Sequence, residues 1–496
     1  MTEKRNAALE INSDEFKKIG HQLVDTIADF IASIDSKPVT TGESPTQIQA
    51  HLGTKSLPEN GSSAADLISK TTDLLLNHSL FNSHPKFFGY ITSTPTPIGI
   101  LSDLLASTVN PNVGANILSP VATAIEKQTV KWLAEFIGVS NSYDGILVSG
   151  GNMANLTAFL AARTAKAPKK LKNEGLGKLD KELVFYCSKA THTWIDKAAV
   201  LFGHGTNAIR WIPTKSDNRM DIDILKSTIN ADLEIGKQPF LVIGNAGDVS
   251  TGVVDNLAEI SAVCKEFDLW FHVDGAYGVP AAVVPEYKNL FKGLEEADSI
   301  ALDPHKWLYA PLEAGCTLVK NPQHLIDTYS SNPVYYNFGN TEDSETRNFF
   351  EFGLQNSRGF RALKVWMALQ HIGKEGYVKL IGEDISLSKL MYDLAEKHSE
   401  LEAVSQNLSL TTLRYVPVDY SDNEANRESY LNKLNAQLVN ELQKGGDVFV
   451  SNSVVQEKYC LRACIVNFRT SERDIQETIE IIVKTGRSVH EKLQTK

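Results

Sequence analysis

Residues 269–278 read LWFHVDGAYG and residues 298–311 read DSIALDPHKWLYAP. Each begins as a short apolar run and breaks off in an acid, Asp274 in the first and Asp303 in the second. Apolar runs of this length, bounded by turn residues, read as buried strands. Five more follow the same pattern: GILVSG (145–150), ELVFYC (182–187), AIRWIP (208–213), PFLVIGNAG (239–247) and AGCTLVK (314–320). Longer helical patterns separate them. That alternation predicts an α/β fold with a mainly parallel central sheet and ligand contacts at the carboxyl ends of its strands.

The strand ends carry the candidate chemistry. Burying the Asp274 carboxylate at a strand terminus is costly unless a cation or a strong donor meets it. Thirty-two residues later Lys306 stands beside Trp307 and Tyr309, surroundings that suit a lysine used for Schiff-base formation. The element SGGNMANL places Ser149, Gly150, Gly151 and Asn152 between a strand and a helix, where free N–H groups and the helix dipole favour a phosphate. Taken singly, each has an ordinary reading: a surface lysine, a helix N-cap, a plain strand-to-helix turn. Together they are the set that pyridoxal phosphate needs, an amine for its aldehyde, an acid for its ring nitrogen and a cradle for its phosphate. No GxGxxG or GxxxxGK[ST] pattern points to a nucleotide instead. His192, in SKATHTWIDKA, follows ELVFYC and suits stacking on a planar cofactor or proton relay, but equally a satisfied core histidine. His272 and Asp274 form an H-x-D pair without further ligands at metal-site spacing, which argues against a metal.

Composition bounds the rest. The chain has 496 residues, 42% hydrophobic and 22% charged, enough for a sizeable core. Lys+Arg 49 against Asp+Glu 60 leaves a formal charge of −11 with no basic block, which disfavours nucleic acid. The start lacks an apolar core of signal length, and no run of about 18 apolar residues suggests a membrane span. Five sparse cysteines in apolar surroundings read as reduced thiols, so the expected location is cytoplasmic.

Ahead of the sheet, a helix is expected from an N-cap at Ser13, with Phe16, Ile19, Val24, Ile27, Phe30 and Ile31 on one face. DLISKTTDLLLNHSLF (66–81) reads as another, making residues 1–85 a helical arm. From Phe87 to Ile125, 39 residues carry one charge, Asp103, and four prolines. Irregular backbone buried at a subunit interface or along a pocket is the expectation there. After RGFRALKVWMALQHIG (358–373), strand patterns around LSLTTLRYV (408–416) and LRACIVNF (461–468) suggest a smaller α+β region. The boundaries expected are 1–85 for the arm, 86–375 for a large cofactor-binding region and 376–496 for the small one. The polar stretch GNTEDSETRN (339–348) reads as a mobile loop.

With HPKFFGY (84–90), SGGNMANLTAFLAAR, HVDGAYG, DPHKWL and NSRGFRALKVW (356–366), the chain resembles the pyridoxal-phosphate-dependent amino acid decarboxylases, the group of the aromatic-L-amino-acid, histidine, tyrosine and glutamate enzymes. The resemblance runs from Phe16 to the segment LRACIVNFRTSERDI. It implies an aspartate-aminotransferase-like (type I) fold and an obligate homodimer with shared active sites and a swapped arm. It implies Lys306 on the cofactor aldehyde, His305 beside it, Asp274 on the pyridinium nitrogen, His192 stacked on the ring and Gly151 and Asn152 at the phosphate. Ser93 matches a substrate-contacting position. Tyr335, in NPVYYNFGN, matches a loop tyrosine that protonates the carbon left when CO₂ departs, and closure of the 329–351 loop would exclude water.

The chain also departs from the family. Gly247, Asp248 and Val249 stand where animal aromatic decarboxylases carry Gly-Thr-Thr, and Asp303-Pro304 replaces Asn-Pro, leaving an extra acid near the cofactor. Asn112 and Gly114 replace bulky apolar residues expected to touch substrate. The expected reaction is decarboxylation of an L-amino acid, aromatic ones favoured, to an amine. The alternative is an aldehyde-forming oxidative decarboxylase or an aminotransferase.

Overall fold

A computed structural model of the chain describes residues 9–53, 56–331, 346–420 and 424–495. Seven of its strands are β1 (Asp144–Val148), β2 (Leu183–Ser188), β3 (Ile209–Ile212), β4 (Gln238–Asn245), β5 (Trp270–Asp274), β6 (Ser299–Leu302) and β7 (Gly315–Val319), the seven runs read from the sequence. They form one sheet in the order β1-β7-β6-β5-β4-β2-β3, and β7 alone runs antiparallel to its neighbours. Every residue of β1, β2, β5, β6 and β7 is buried. Helices cover both faces of such a sheet, which is why these strands are continuously apolar rather than alternating.

Because β7 is antiparallel to both β1 and β6, the ends of β1, β5 and β6 and the start of β7 share one edge. Val148 pairs with Gly315 and Asp274 with Ala301 there. A Cβ on Gly315 would stand 2.5 Å from Gly150 Cα, so glycine lets the turn after β1 close on β7.

A four-stranded antiparallel sheet follows, from β8 (Leu401–Asn407), β9 (Leu410–Tyr415), β10 (Ser451–Val455) and β11 (Lys458–Cys464), in the order β10-β11-β9-β8. The sequence reading found β9 and β11 but missed β8 and β10. Those two are polar; only alternate residues of β10 are buried, and β8 beyond Leu401 is half-buried.

The amino-terminal helices are α1 (Ser13–Ser33), α2 (Pro45–Leu52) and α3 (Ala64–His78). The cap of α1 is Asn12, one residue earlier than expected, and its side chain accepts from the Glu15 N–H at 2.9 Å. No residue of α1, α2 or α3 is buried, and Phe16 is exposed.

The charge-poor segment corrects the expectation of irregular backbone. It contains α4 (Pro97–Val109) and the start of α5 (Pro120–Phe136). Pro97 and Pro120 occupy the first helical turn, where a missing N–H costs nothing, and Asn110 ends α4 in the left-handed conformation just before Pro111. Leu101, Leu104, Leu105, Val109, Ile117 and Leu118 are nevertheless exposed. The long helix Ala362–Lys397 is broken at Gly373, which has φ +69°.

All five cysteines are free and buried. Among the described residues no helix is long and apolar enough to cross a membrane. Tyr335 and most of GNTEDSETRN lie outside the described residues. Arg347, near its end, is held by a two-pronged ion pair with Asp144 at 2.6 and 2.7 Å.

Candidate active site

A cavity of about 740 Å³ opens at the shared sheet edge. Helix α6 (Gly151–Lys166) follows β1 and brings Gly151, Asn152 and Met153, its first turn, to the wall. Its leading backbone N–H groups precede the first intrahelical bond, Ala154 N–H to Gly150 O, and so offer themselves to an anion.

From β5 comes Asp274. The Trp194 indole N–H donates to its Oδ2 at 2.7 Å and the Ala276 N–H to its Oδ1 at 3.3 Å. The strong donor that the sequence demanded is thus an indole, and the cavity-facing carboxylate is fixed in orientation.

From the turn after β6 come Asp303, His305 and Lys306. Lys306 Nζ lies 3.2 Å from Asp303 Oδ2, and His305 Nε2 lies 3.8 Å from the same oxygen. His305 Nδ1 is 2.7 Å from the Ala314 carbonyl, and the Ser93 hydroxyl donates to the His305 carbonyl at 2.9 Å. Burial lowers the imidazole of His305 from its ordinary range. Below the turn, Trp307 and Tyr309 both donate to Asp384 Oδ2, at 2.9 and 2.6 Å, which anchors the lysine-bearing segment in the core.

His192 is exposed and also lines the cavity. Desolvation lowers it below its usual value, against the pull of Asp274. The Trp194 N–H donates to its Nδ1 at 3.3 Å, which assigns the ring proton to Nε2. His272, by contrast, is a satisfied core residue. Its Nδ1 pairs with Ser299 Oγ at 2.8 Å, its Nε2 with Asn155 Oδ1 at 2.7 Å, and burial pulls it to about 4.

The cavity wall therefore brings together Lys306, Asp303, His305, Asp274, His192, Gly151 and Asn152. Ser93 stands behind it, next to Tyr90, Ile91 and Thr92, which line it. Asn112 and Gly114 do not line it. Asn112 Oδ1 accepts from the Gly114 and Arg358 N–H groups at 3.1 and 3.0 Å, and a Cβ on Gly114 would meet Asn356 O at 2.1 Å. Asp248 lines the cavity but spends its carboxylate on its own turn, accepting from the N–H groups of Ser250, Thr251 and Val253 at 2.8 to 2.9 Å.

One buried, charged residue of the lining escaped the sequence reading. Arg462 of β11 is buried, donates to Ser451 Oγ at 3.1 Å and to the Val249 carbonyl, and forms no ion pair among the described residues. The available signal was a charge inside LRACIVNF, an otherwise apolar strand.

These residues fit a phosphorylated pyridine aldehyde. A Cβ on Gly151 would come within 2.6 Å of Asp303 Oδ2, so glycine alone lets the α6 terminus and the lysine turn meet. Asp303 Oδ1 is buried without a partner, and donors, lysine and aspartate face one space. Gly151 and Asn152 would hold the phosphate, Lys306 the aldehyde and Asp274 the ring nitrogen.

Comparison with known proteins gives the same direction. The profile of the pyridoxal-dependent decarboxylase conserved domain matches residues 45–415, and that of a PDXDC1-like second central domain matches residues 378–494. An aromatic-L-amino-acid decarboxylase from Bacillus atrophaeus is 34% identical over 96% of both chains. A phenylacetaldehyde synthase from a Rosa hybrid cultivar is 28% identical over 95% of this chain and 94% of its own. The crystal structure of Oryza sativa TDC with PLP and tryptamine superposes with a TM-score of 0.90 at 27% identity, covering 97% of this chain and 99% of the other.

Proposed function

The chain belongs to the pyridoxal-dependent decarboxylase family, and on that premise we propose that it converts an aromatic L-amino acid into the corresponding amine and CO₂. It is a carboxy-lyase whose cofactor is pyridoxal phosphate. The observation that carries the proposal is the convergence of Lys306, Asp274 and the α6 N-terminus on one cavity.

When bound, the cofactor supplies an electron sink for the pair released as CO₂ departs. The protein's own groups do the positioning. Asp274, held by Trp194, keeps a negative charge where the ring nitrogen must be protonated. His192, with its proton on Nε2 and its side chain on the cavity wall, would lie against the cofactor ring. Lys306, on the cavity wall beside Asp303, would hold the aldehyde end of the cofactor. Arg462, a buried cation with no acidic partner among the described residues, is the group best suited to meet the substrate carboxylate. Tyr335 returns a proton to the α-carbon.

The arm (1–85), the large region (86–375) and the small region (376–496) are read as one half of a cytoplasmic homodimer. The exposed apolar residues of α4 and the segment after it support a second copy there, and Asn112 and Gly114 would reach substrate through that contact. Equilibrium sedimentation tests the dimer.

A second reading, aldehyde formation, is favoured by the likeness to the phenylacetaldehyde synthase. The deciding experiment incubates the holoenzyme with a panel of L-amino acids and quantifies CO₂, amine, aldehyde, peroxide and keto acid. Amine equal to CO₂ with an aromatic substrate supports the proposal; aldehyde and peroxide as main products overturn it.

A further inference from the structure

Outside the lining of the cavity, the helical arm gathers three side chains of the kinds that bind metals. Glu43 precedes the Ser44 cap of α2, His51 lies in the last turn of α2, and His78 is the last residue of α3. His51 Nε2 is 2.7 Å from Glu43 Oε1 and His78 Nδ1 is 2.8 Å from Glu43 Oε2. The two imidazoles lie one against the other, with centroids 3.8 Å apart and planes 33° apart. All three donor atoms fall within 4.8 Å of one another. The Thr41 hydroxyl donates to Glu43 Oε2 at 2.7 Å, a bond that orients the carboxylate from behind.

We propose that Glu43, His51 and His78 bind one divalent transition-metal ion, zinc foremost, which staples α2 to α3 and closes the arm. Two imidazole nitrogens and one carboxylate are a donor set for zinc and its neighbours, not for magnesium or calcium, which take oxygen ligands. Zinc bonds of about 2.0–2.1 Å in a tetrahedron need ligand atoms roughly 3.4 Å apart. The present contacts must open by a little over half an ångström, which an unburied glutamate side chain accommodates. Side-chain exposures of 17% for Glu43, 26% for His78 and 37% for His51 leave a path for the ion and room for a water as fourth ligand.

The local architecture makes such a staple useful. Within a single chain, an eight-residue helix that buries no side chain has little to stabilise it beyond its capping box. His51 links α2 to α3 both by way of Glu43 and through the stacked ring of His78. An ion joining position 43 to position 78 also closes a long chain segment, where a crosslink gains most.

The test uses tag-free full-length holoenzyme stripped with a chelating resin. Zinc chloride titrated in a calorimeter should bind at one ion per chain and raise the melting temperature, while magnesium should do neither. Cobalt(II) should give the visible bands of a four-coordinate site. Losing an outer-shell partner typically weakens a metal site 10–100-fold, so His51→Ala, His78→Ala or Glu43→Gln should each weaken zinc binding by at least about 100-fold. His51→Gln keeps a hydrogen-bond partner for Glu43, so it should hold the metal-free melting temperature and lose the zinc response. Turnover with saturating cofactor should be unchanged in all four. No stoichiometric binding, or zinc binding equal to wild type in the variants, overturns the proposal.

Discussion

The indole N–H of Trp194 donates to Asp274 Oδ2 at 2.7 Å and so orients the one carboxylate that terminates β5 inside the cavity. Both groups are buried. A hydrogen bond to a charged acceptor contributes about 1.5–3 kcal/mol, and removing its donor leaves the acceptor to find another. Trp194→Phe keeps most of the packing and deletes the donor. We expect turnover to fall by tenfold or more and the cofactor to dissociate faster, read from kcat and from cofactor absorbance after gel filtration. Unchanged values would show that Asp274 is oriented by other contacts.

Arg462 tests the carboxylate anchor. Arg462→Met retains the buried stem and removes the charge. Loss of a charge-assisted contact of about 1.5–3 kcal/mol corresponds to a fall in kcat/KM of roughly 10- to 150-fold. Simple amines, which lack the carboxylate, should inhibit the variant as they inhibit the wild type. Equal loss of both would reduce Arg462 to a packing role.

Arg358 and Glu126 form a fully buried ion pair, and Arg358 also donates to the Val113 and Leu147 carbonyls at 2.8 and 2.6 Å. Arg358→Ala would leave Glu126 charged and unpaired, which costs about 3–5 kcal/mol. The melting temperature should drop sharply, and the double variant Arg358→Met with Glu126→Leu should recover part of it. A drop no larger than for an exposed arginine would contradict the pairing.

Asp384 accepts from Trp307 and Tyr309, and burial pushes its carboxyl up to about 7. The folded state thus holds this proton more tightly than the unfolded chain, whose aspartates titrate near 4. The resulting stability is complete below about pH 4 and is lost progressively as pH rises from about 4 through about 7, at up to roughly 1.4 kcal/mol per pH unit. Asp384→Asn should lie closest to the wild type at pH 4, gain on it up to about pH 7 and melt higher than it at pH 8. Parallel melting curves across that range would remove Asp384 as the source.

Tyr335 is assigned the proton return. On the proposed role, Tyr335→Phe removes the proton donor to the α-carbon, so with dioxygen as the oxidant product should shift from amine toward aldehyde, ammonia and peroxide, with CO₂ release maintained. Amine yield equal to that of wild type would argue against the assignment.

Much of this was legible in short stretches of chain. The seven strands of the large sheet were read because burial on both faces demands continuous apolar runs, and Asp274 and Lys306 stood out because each breaks such a run. Strands β8 and β10 were missed because half-exposed strands carry ordinary polar residues. The helices of the charge-poor segment were missed because its prolines read as breakers, whereas Pro97 and Pro120 sit in first turns where they do no harm.

The sequence by itself determined which chemical groups terminate which strands, since that depends on neighbours in the chain and on a two-residue period. Only the tertiary structure decided their company: Arg462 of the small sheet on the wall of a cavity built by the large one, Trp194 on Asp274, Gly151 against Asp303, and Glu43 between two histidines of different helices. Those meetings depend on how crossovers and sheets pack, all but the Glu43–His51 contact spanning 35 to more than 150 residues, and no local pattern encodes a distance across space.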